Sequence, residues 1–387
     1  MKKICIITGT RADYGLLFPL ISLLASDRDF DMRLVVTGSH LSPQFGLTYQ
    51  QIEKDGFDID KKIDILMSSD TPSAVSKAMA LAMIGFGDYF ECARPDLVIV
   101  LGDRYEILAA VSAAVVAGVP VAHLHGGEVT EGAYDELFRH AITKMSLLHF
   151  TSSELHRQRV IQLGEQPDRV FNVGAIGIDN IVNARLMDKQ ELASSVQFSL
   201  EQPYALVTFH PVTMEKTETV HQFQQLLDAM DLLEDMRFII TKANADDGGR
   251  LINQMIDQYV ALTPHKAIAV ASLGQIRYLS AMKYCTCVIG NSSSGIIEAP
   301  SFQVPTIDIG NRQKGRTAAD SVIHCEPDTK AIMDAVRTAR SKAFQDSLPN
   351  IVNPYGDGHV SAKIVGKLKI FFLRSDDGIK KSFYDYN

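Results

Sequence analysis

Seven polar clusters follow short apolar runs, and their side chains suit phosphate binding, sugar binding and proton transfer. The first half of the chain carries Thr8-Gly-Thr-Arg-Ala-Asp-Tyr-Gly15, Gly102-Asp-Arg-Tyr-Glu106 and His123-Leu-His-Gly-Gly-Glu128. The second half carries His210-Pro211, Lys242-Ala-Asn244, Gly290-Asn-Ser-Ser-Ser-Gly295 and Gly310-Asn-Arg312. Arg11 can meet a phosphate as a bidentate donor, or be a surface arginine in a loop. The 291–295 turn opens a helix, where free N–H groups and the helix dipole suit an anion; a plain N-cap uses the same residue types. Ser292 and Ser293 offer more hydroxyls than one cap needs, which favours phosphate. A glycine there also lets the phosphate approach closely. Glu298, one turn on, can accept both hydroxyls of a ribose or simply be solvated. Arg312 and Arg316 add positive charge. His210 can donate to a diphosphate, protonate a leaving group, or be structural.

The acidic residues gather in the first half. Asp103 directly follows an apolar run and is either an acid/base carboxylate or the N-cap of the next helix. His125 and Glu128 flank Gly126-Gly127, whose missing side chains let a sugar come close. Asp135 and Glu136 stand four residues before Arg139 and His140, the spacing of helical ion pairs. Carboxylates in one half and serines with arginines in the other fit a nucleotide sugar laid across a cleft.

These clusters need elements that end in the right places. Strands are expected at 3–8, 32–37, 97–101, 119–124, 148–151 and 170–173, with helices at 14–25, 74–90 and 106–117. The pattern restarts after Gly174, with strands at 204–209, 238–241, 267–270, 288–289 and 306–309. Helices at 219–233, 249–259, 273–283 and 296–302 separate them. The alternation predicts an α/β fold of two Rossmann-like domains facing across a cleft, with ligands beyond the carboxyl ends of the strands. Residues 1–178 form the sugar and catalytic side and 179–360 the nucleotide side. A last helix, 361–373, and a polar, aromatic tail read as mobile complete the segment 361–387.

Composition narrows the class. The 387 residues hold 38 Lys and Arg against 46 Asp and Glu, a net charge of −8. That disfavours a nucleic-acid binder, whose affinity rests on neutralised phosphates. Five scattered cysteines without a Cys-x-x-Cys pair suggest neither a disulfide frame nor a zinc site, and fit a reducing cytoplasm. No signal-peptide core follows Met-Lys-Lys, and the 107–124 apolar stretch is broken by Ser112, Gly118, Pro120 and His123, so no membrane partner is expected. The Gly-x-Gly-x-x-Gly fingerprint is absent, which weakens the nicotinamide-cofactor reading, and so is a Walker A motif. No cofactor and no metal is required, because arginines and N–H groups can carry the charge.

The motifs Gly9–Gly15, Gly102–Glu106, His125–Glu128, Asp135-Glu-x-x-Arg-His-Ala-Ile-Thr-Lys144, Gly290–Gly295 and Arg312-Gln-x-x-Gly-Arg316 resemble the hydrolysing UDP-N-acetylglucosamine 2-epimerases of sialic-acid biosynthesis, the capsule-type members most. The resemblance covers nearly the whole chain with motifs in order. It implies a glycosyltransferase-B-like fold and conversion of UDP-N-acetylglucosamine to N-acetylmannosamine and UDP. The route is elimination of UDP to a 2-acetamidoglucal, then hydration. Carried over residue by residue, Arg11, Asp13, Arg104, His210, Asn244, Ser292, Ser293, Glu298 and Arg312 fall in the substrate-binding set. Asp103 and Asp135 match catalytic carboxylates, and His210 assists the leaving group. Many relatives have Glu where His125 stands, so either His125 or Glu128 takes that role. The family suggests a homodimer or homotetramer. The alternatives are a glycosyltransferase, a nucleotide-sugar sensor, a non-hydrolysing 2-epimerase, and the same chemistry on UDP-2,4-diacetamido-2,4,6-trideoxyglucose.

Overall fold

The computed structural model describes residues 1–67, 71–129, 134–211, 216–243, 249–373 and 380–385. The chain separates into two compact units. The first comprises Met1–Asn180 and Gly358–Asn387, the second Ile181–Asp357.

In the first unit, β1 (Lys2–Thr8), α1 (Arg11–Ser26), β2 (Phe30–Thr37), α2 (Tyr49–Lys54) and β3 (Ile59–Ile63) build one half of a sheet. Then α3 (Pro72–Ala93), β4 (Leu97–Leu101), α4 (Tyr105–Val116), β5 (Val121–Leu124), α5 (Tyr134–Met145), β6 (Leu148–Thr151), α6 (Glu154–Gln162) and β7 (Val170–Asn172) build the other. The strand order is β3-β2-β1-β4-β5-β6-β7, with parallel pairing throughout. Side chains of β1 alternate between two cores. Ile4 and Ile6 pack with Leu17, Leu20 and Leu34, whereas Cys5 and Ile7 pack with Phe86, Phe90 and Val111. A strand buried on both faces must be apolar throughout, and these are.

After α7 (Gly177–Asn183), the second unit runs α8 (Lys189–Val196), β8 (Tyr204–Thr208), α9 (Lys216–Leu232), β9 (Arg237–Thr241), α10 (Gly249–Leu262) and β10 (Ala267–Val270). It continues with α11 (Gly274–Tyr284), β11 (Cys287–Gly290), α12 (Ser293–Ile297), β12 (Thr306–Ile309), β13 (Val322–Cys325), α13 (Thr329–Arg340) and α14 (Lys342–Ser347). Its six parallel strands are ordered β10-β9-β8-β11-β12-β13. The last helix, α15 (Val360–Leu373), returns to the first unit, where Val360, Ile364 and Leu368 join the core around Leu17 and Leu20.

Both sheets reverse their strand order beside the first strand, between β1 and β4 and between β8 and β11. Loops diverge at such a point and leave a crevice beyond the strand ends. The polar clusters at 9–11, 102–106, 210–211 and 290–295 follow these four strands.

Two expectations change. Residues 380–385 of the tail are not loose, because they are bonded to Gly164, Gln166 and Arg169. The helix expected over 296–302 is two short pieces, α12 and a 3-10 turn at Ala299–Phe302, with Pro300 in the first turn of the second.

Candidate active site

In the first unit, the site is organised by a buried arginine. Arg139, on the inner face of α5, is 5% exposed. It forms a close ion pair with Asp103, donates to Glu136 Oε2 at 2.9 Å and donates to the Glu128 carbonyl at 2.8 Å. One side chain therefore joins the end of β4, the loop after β5, and α5. Asp103 is not the cap of α4, since Arg104 holds the N-cap position. Asp135 sits near enough to Asp103 to feel its charge. Burial first, and Asp103 second, raise the Asp135 carboxyl above its ordinary value against the pull of Arg104 and Arg139. The expected helical pair Glu136–His140 forms at 3.0 Å, while Arg139 turns to the strand end.

His125 and Glu128 form a fixed pair. His125 has φ 66°, and its Nδ1 lies 3.1 Å from Glu128 Oε1. The Ile176 amide donates to His125 Nε2 at 3.1 Å, so Nε2 is an acceptor and the ring proton lies on Nδ1. Ser152 donates to Glu128 at 2.6 Å and also bonds His156. Burial works to raise the Glu128 carboxyl, but His125, Ser152 and His156 prevail and hold it well below the usual carboxylate range. Both ring nitrogens of His125 are thus taken by protein groups. The glycines between them serve packing. A Cβ on Gly126 would lie 2.8 Å from Thr143 Oγ1, and one on Gly127 would lie 2.5 Å from the His156 carbonyl.

The β1–α1 loop is shaped by Asp13. Its carboxylate accepts from the amides of Gly9, Thr10 and Tyr14 and from the hydroxyls of Thr8 and Thr10, closing a capping box with Thr10. Arg11 is exposed at the first position of α1. Arg104 donates to Glu106 at 2.5 Å. Glu106 is fully buried beneath Gly9, and burial raises its carboxyl despite Arg104.

In the second unit, Thr208, Thr241, Tyr278, Ser292, Ser294 and Glu298 line a cavity of about 390 Å³. Asn291 organises it. Its side chain accepts from the His210 amide at 2.7 Å and donates to the His210 carbonyl at 2.9 Å, while Arg312 and Gln313 donate to its own carbonyl. Ser292 caps α12, with Ser293 beginning the helix. The Ser294 hydroxyl bonds closely to the half-buried Tyr278. Glu298 retains some accessible surface, yet it lies deep enough among protein atoms that burial pushes its carboxyl up to about 7. Gly290 and Gly295 each leave room for neighbouring protein atoms. A Cβ on Gly290 would lie 1.9 Å from the Thr208 carbonyl, and one on Gly295 would lie 2.7 Å from Thr306. Asn244 lies outside the described residues.

The family model described as UDP-N-acetylglucosamine 2-epimerase matches residues 23–369. The chain belongs to that family. It is 42% identical over 346 residues, 89% of each chain, to GDP/UDP-N,N'-diacetylbacillosamine 2-epimerase (hydrolyzing) of Campylobacter jejuni. It is 38% identical over 386 residues, all of this chain and 98% of the other, to polysialic acid biosynthesis protein P7 of Escherichia coli. The crystal structure of UDP-GlcNAc 2-epimerase from Neisseria meningitidis bound to UDP-GlcNAc shares the fold, with TM-score 0.77 over 96% of this chain and 100% of that one at 19% identity.

Within this 2-epimerase the first unit brings together Asp103, His125, Glu128 and Asp135. The second brings together His210, Ser292, Ser293, Glu298 and Arg312 around Asn291 and the cavity. Sequence reasoning did not single out Glu106, Ser152 or Tyr278. Glu106 closes the quoted Gly102–Glu106 motif, whereas Ser152 and Tyr278 lie outside the quoted motifs and reveal their roles only through Glu128 and Ser294, far away in the chain. Among the described residues, no group of three His, Cys, Asp or Glu is arranged to hold a metal ion, and no helix is long and apolar enough to cross a membrane.

Proposed function

We propose that this epimerase is of the hydrolysing kind and acts on a UDP-sugar bearing a 2-acetamido group. The observation that carries this reading is the Asp103–Asp135 pair. Two carboxyls with unequal surroundings can divide the work of taking and returning a proton. Asp135, raised by burial and by its neighbour, is the proton donor. Asp103, positioned by Arg139, takes the proton from carbon 2. The pinned His125–Glu128 pair holds the loop and exchanges no proton with the sugar.

Departure of UDP breaks the carbon 1–oxygen bond and leaves negative charge on the diphosphate. Ser292, Ser293, His210 and Arg312 are the donors for that charge, each typically worth about 3–4 kcal/mol in a preorganised site. Because α12 has only five residues, hydroxyls and loop amides do more here than a helix dipole. Glu298 takes the ribose hydroxyls. Loss of UDP with the carbon 2 proton gives a 2-acetamidoglucal, and water then adds at carbon 1 while carbon 2 is reprotonated from the opposite face.

For the sugar, the relative named for N,N'-diacetylbacillosamine supports UDP-2,4-diacetamido-2,4,6-trideoxyglucose as the first substrate. The relative named for polysialic acid, aligned over the whole chain, supports UDP-N-acetylglucosamine as the second reading. The test is incubation with each sugar nucleotide in deuterated water, without acceptor, followed by NMR. The expected products are UDP and a free 2-epimerised sugar carrying deuterium at carbon 2. A product that keeps UDP favours the non-hydrolysing reaction. Release only with an acceptor favours a transferase, and intact substrate favours a sensor; each outcome sinks the proposal.

A further inference from the structure

The second end of α5 is held by the chain's last residues. Lys381 Nζ reaches three oxygens, the carbonyls of Lys144 at 2.5 Å and Ser146 at 2.6 Å and Glu165 Oε2 at 2.6 Å. An ammonium has three N–H bonds, so each finds an acceptor. Two of those acceptors lie at the C-terminal end of α5, where carbonyls lack helical partners and a cation is favoured. Glu165 is 1% exposed and also takes Lys144 at 2.8 Å and His149 at 2.9 Å. The flanking residues fasten the segment. The Tyr384 amide donates to the Gly164 carbonyl at 2.9 Å, and Gln166 donates to Ser382 at 3.0 Å. The Phe383 ring lies 4.5 Å from the Lys144 ammonium and occupies the space beside Gly164.

The same helix controls the end of β4. Arg139 binds Asp103, and Thr143 bonds His123 Nδ1 at 3.1 Å. His123 Nε2–H in turn donates to the Gly102 carbonyl at 2.8 Å, one residue before Asp103. Burial pushes His123 down to about 3, so the ring stays neutral and this link persists across working pH. Asp135 rides at the opposite end of α5 from Lys381.

We propose that Lys381 is a positioning residue that caps α5 and thereby sets the geometry of the Asp103–Asp135 pair. Its kinetic consequence rests on the function proposed above; its structural consequence does not.

The test compares Lys381→Ala, Lys381→Arg and Phe383→Ala in the full chain. Hydrogen exchange of amides 134–147 should quicken in Lys381→Ala and return in Lys381→Arg. Turnover, kcat, should fall about tenfold in Lys381→Ala, as expected for a small displacement of reacting groups, with KM and UDP affinity within about twofold. Lys381→Arg should restore most of kcat. Phe383→Ala loosens the segment while keeping every partner of Glu165, and it decides the matter should Lys381→Ala fail to fold. Unchanged α5 exchange in Phe383→Ala and any folded Lys381→Ala, or a loss shared equally by kcat and UDP affinity, overturns the proposal. If the unaltered chain releases UDP from neither sugar, the proposed function fails, while the exchange measurement still decides the capping.

Discussion

The candidate-site strand ends of the first unit are crowded with paired charges, whereas the ends of β8 and β11 in the second are built from backbone and hydroxyls. Asp103 has Arg139, Glu128 has His125 and Ser152, and Arg104 has Glu106. In the second unit Asn291 grips the backbone of His210, and the serines and Glu298 face a cavity. Paired charges tune proton affinities before a substrate arrives. A wall of hydroxyls that bond one another, with one raised carboxyl, can turn donors and acceptors to a ligand. The first arrangement suits proton transfer, and the second suits binding.

That contrast can be broken in three ways. Asp103→Asn should lower UDP release about a thousandfold while leaving UDP affinity, read by calorimetry, within about twofold. Near-normal turnover would remove Asp103 from the proposed chemistry. Gly290→Ala should next destabilise the protein by about 3 kcal/mol and weaken UDP binding, because φ is 139° and the new Cβ meets the Thr208 carbonyl. Gly102→Ala, at the matching strand end of the first unit, meets no neighbour and should cost only about 1 kcal/mol of backbone strain. Equal melting shifts for the two variants would show that the strand ends are built alike.

The smallest effect concerns Glu298. Its carboxyl stands at about 7 in the free protein, and ribose hydroxyls favour the ionised form. Affinity for the UDP-sugar, whose diphosphate has no proton to lose near neutrality, should therefore rise about tenfold from pH 6 to pH 8. Glu298→Gln should flatten that rise. The folded value lies above the ordinary 4.5, so the stability this group lends is complete below that value and is lost as pH rises through about 7. Glu298→Gln should accordingly melt higher than the parent at pH 8, and a lower melting point would contradict the burial argument.

Central strands were legible in the sequence because burial on both faces makes them continuous apolar runs, as at Leu97–Leu101. Two strands escaped notice for the opposite reason. Ile59–Ile63 reads Ile-Asp-Lys-Lys-Ile, and Val322–Cys325 contains His324; both lie at sheet edges, where exposed positions carry charge. The polar clusters were legible as strand-end residues. Their hydrogen bonds were not, because Asp103 meets Arg139 and His210 meets Asn291 only after the chain has folded. Glycines misled more than any other type. Gly126, Gly127 and Gly295 read as room for a ligand, yet a side chain on each would meet a protein atom.

Asp179 has a consequence for how the chain is made. Its carboxylate accepts the amides of Val360 and Ser361, both at 2.6 Å, just before the chain leaves the first unit and just after it returns. The first unit therefore lacks the helix that completes its core until the second unit has been synthesised. The later half can close first, and the earlier one must wait with an open flank around Leu17 and Leu20.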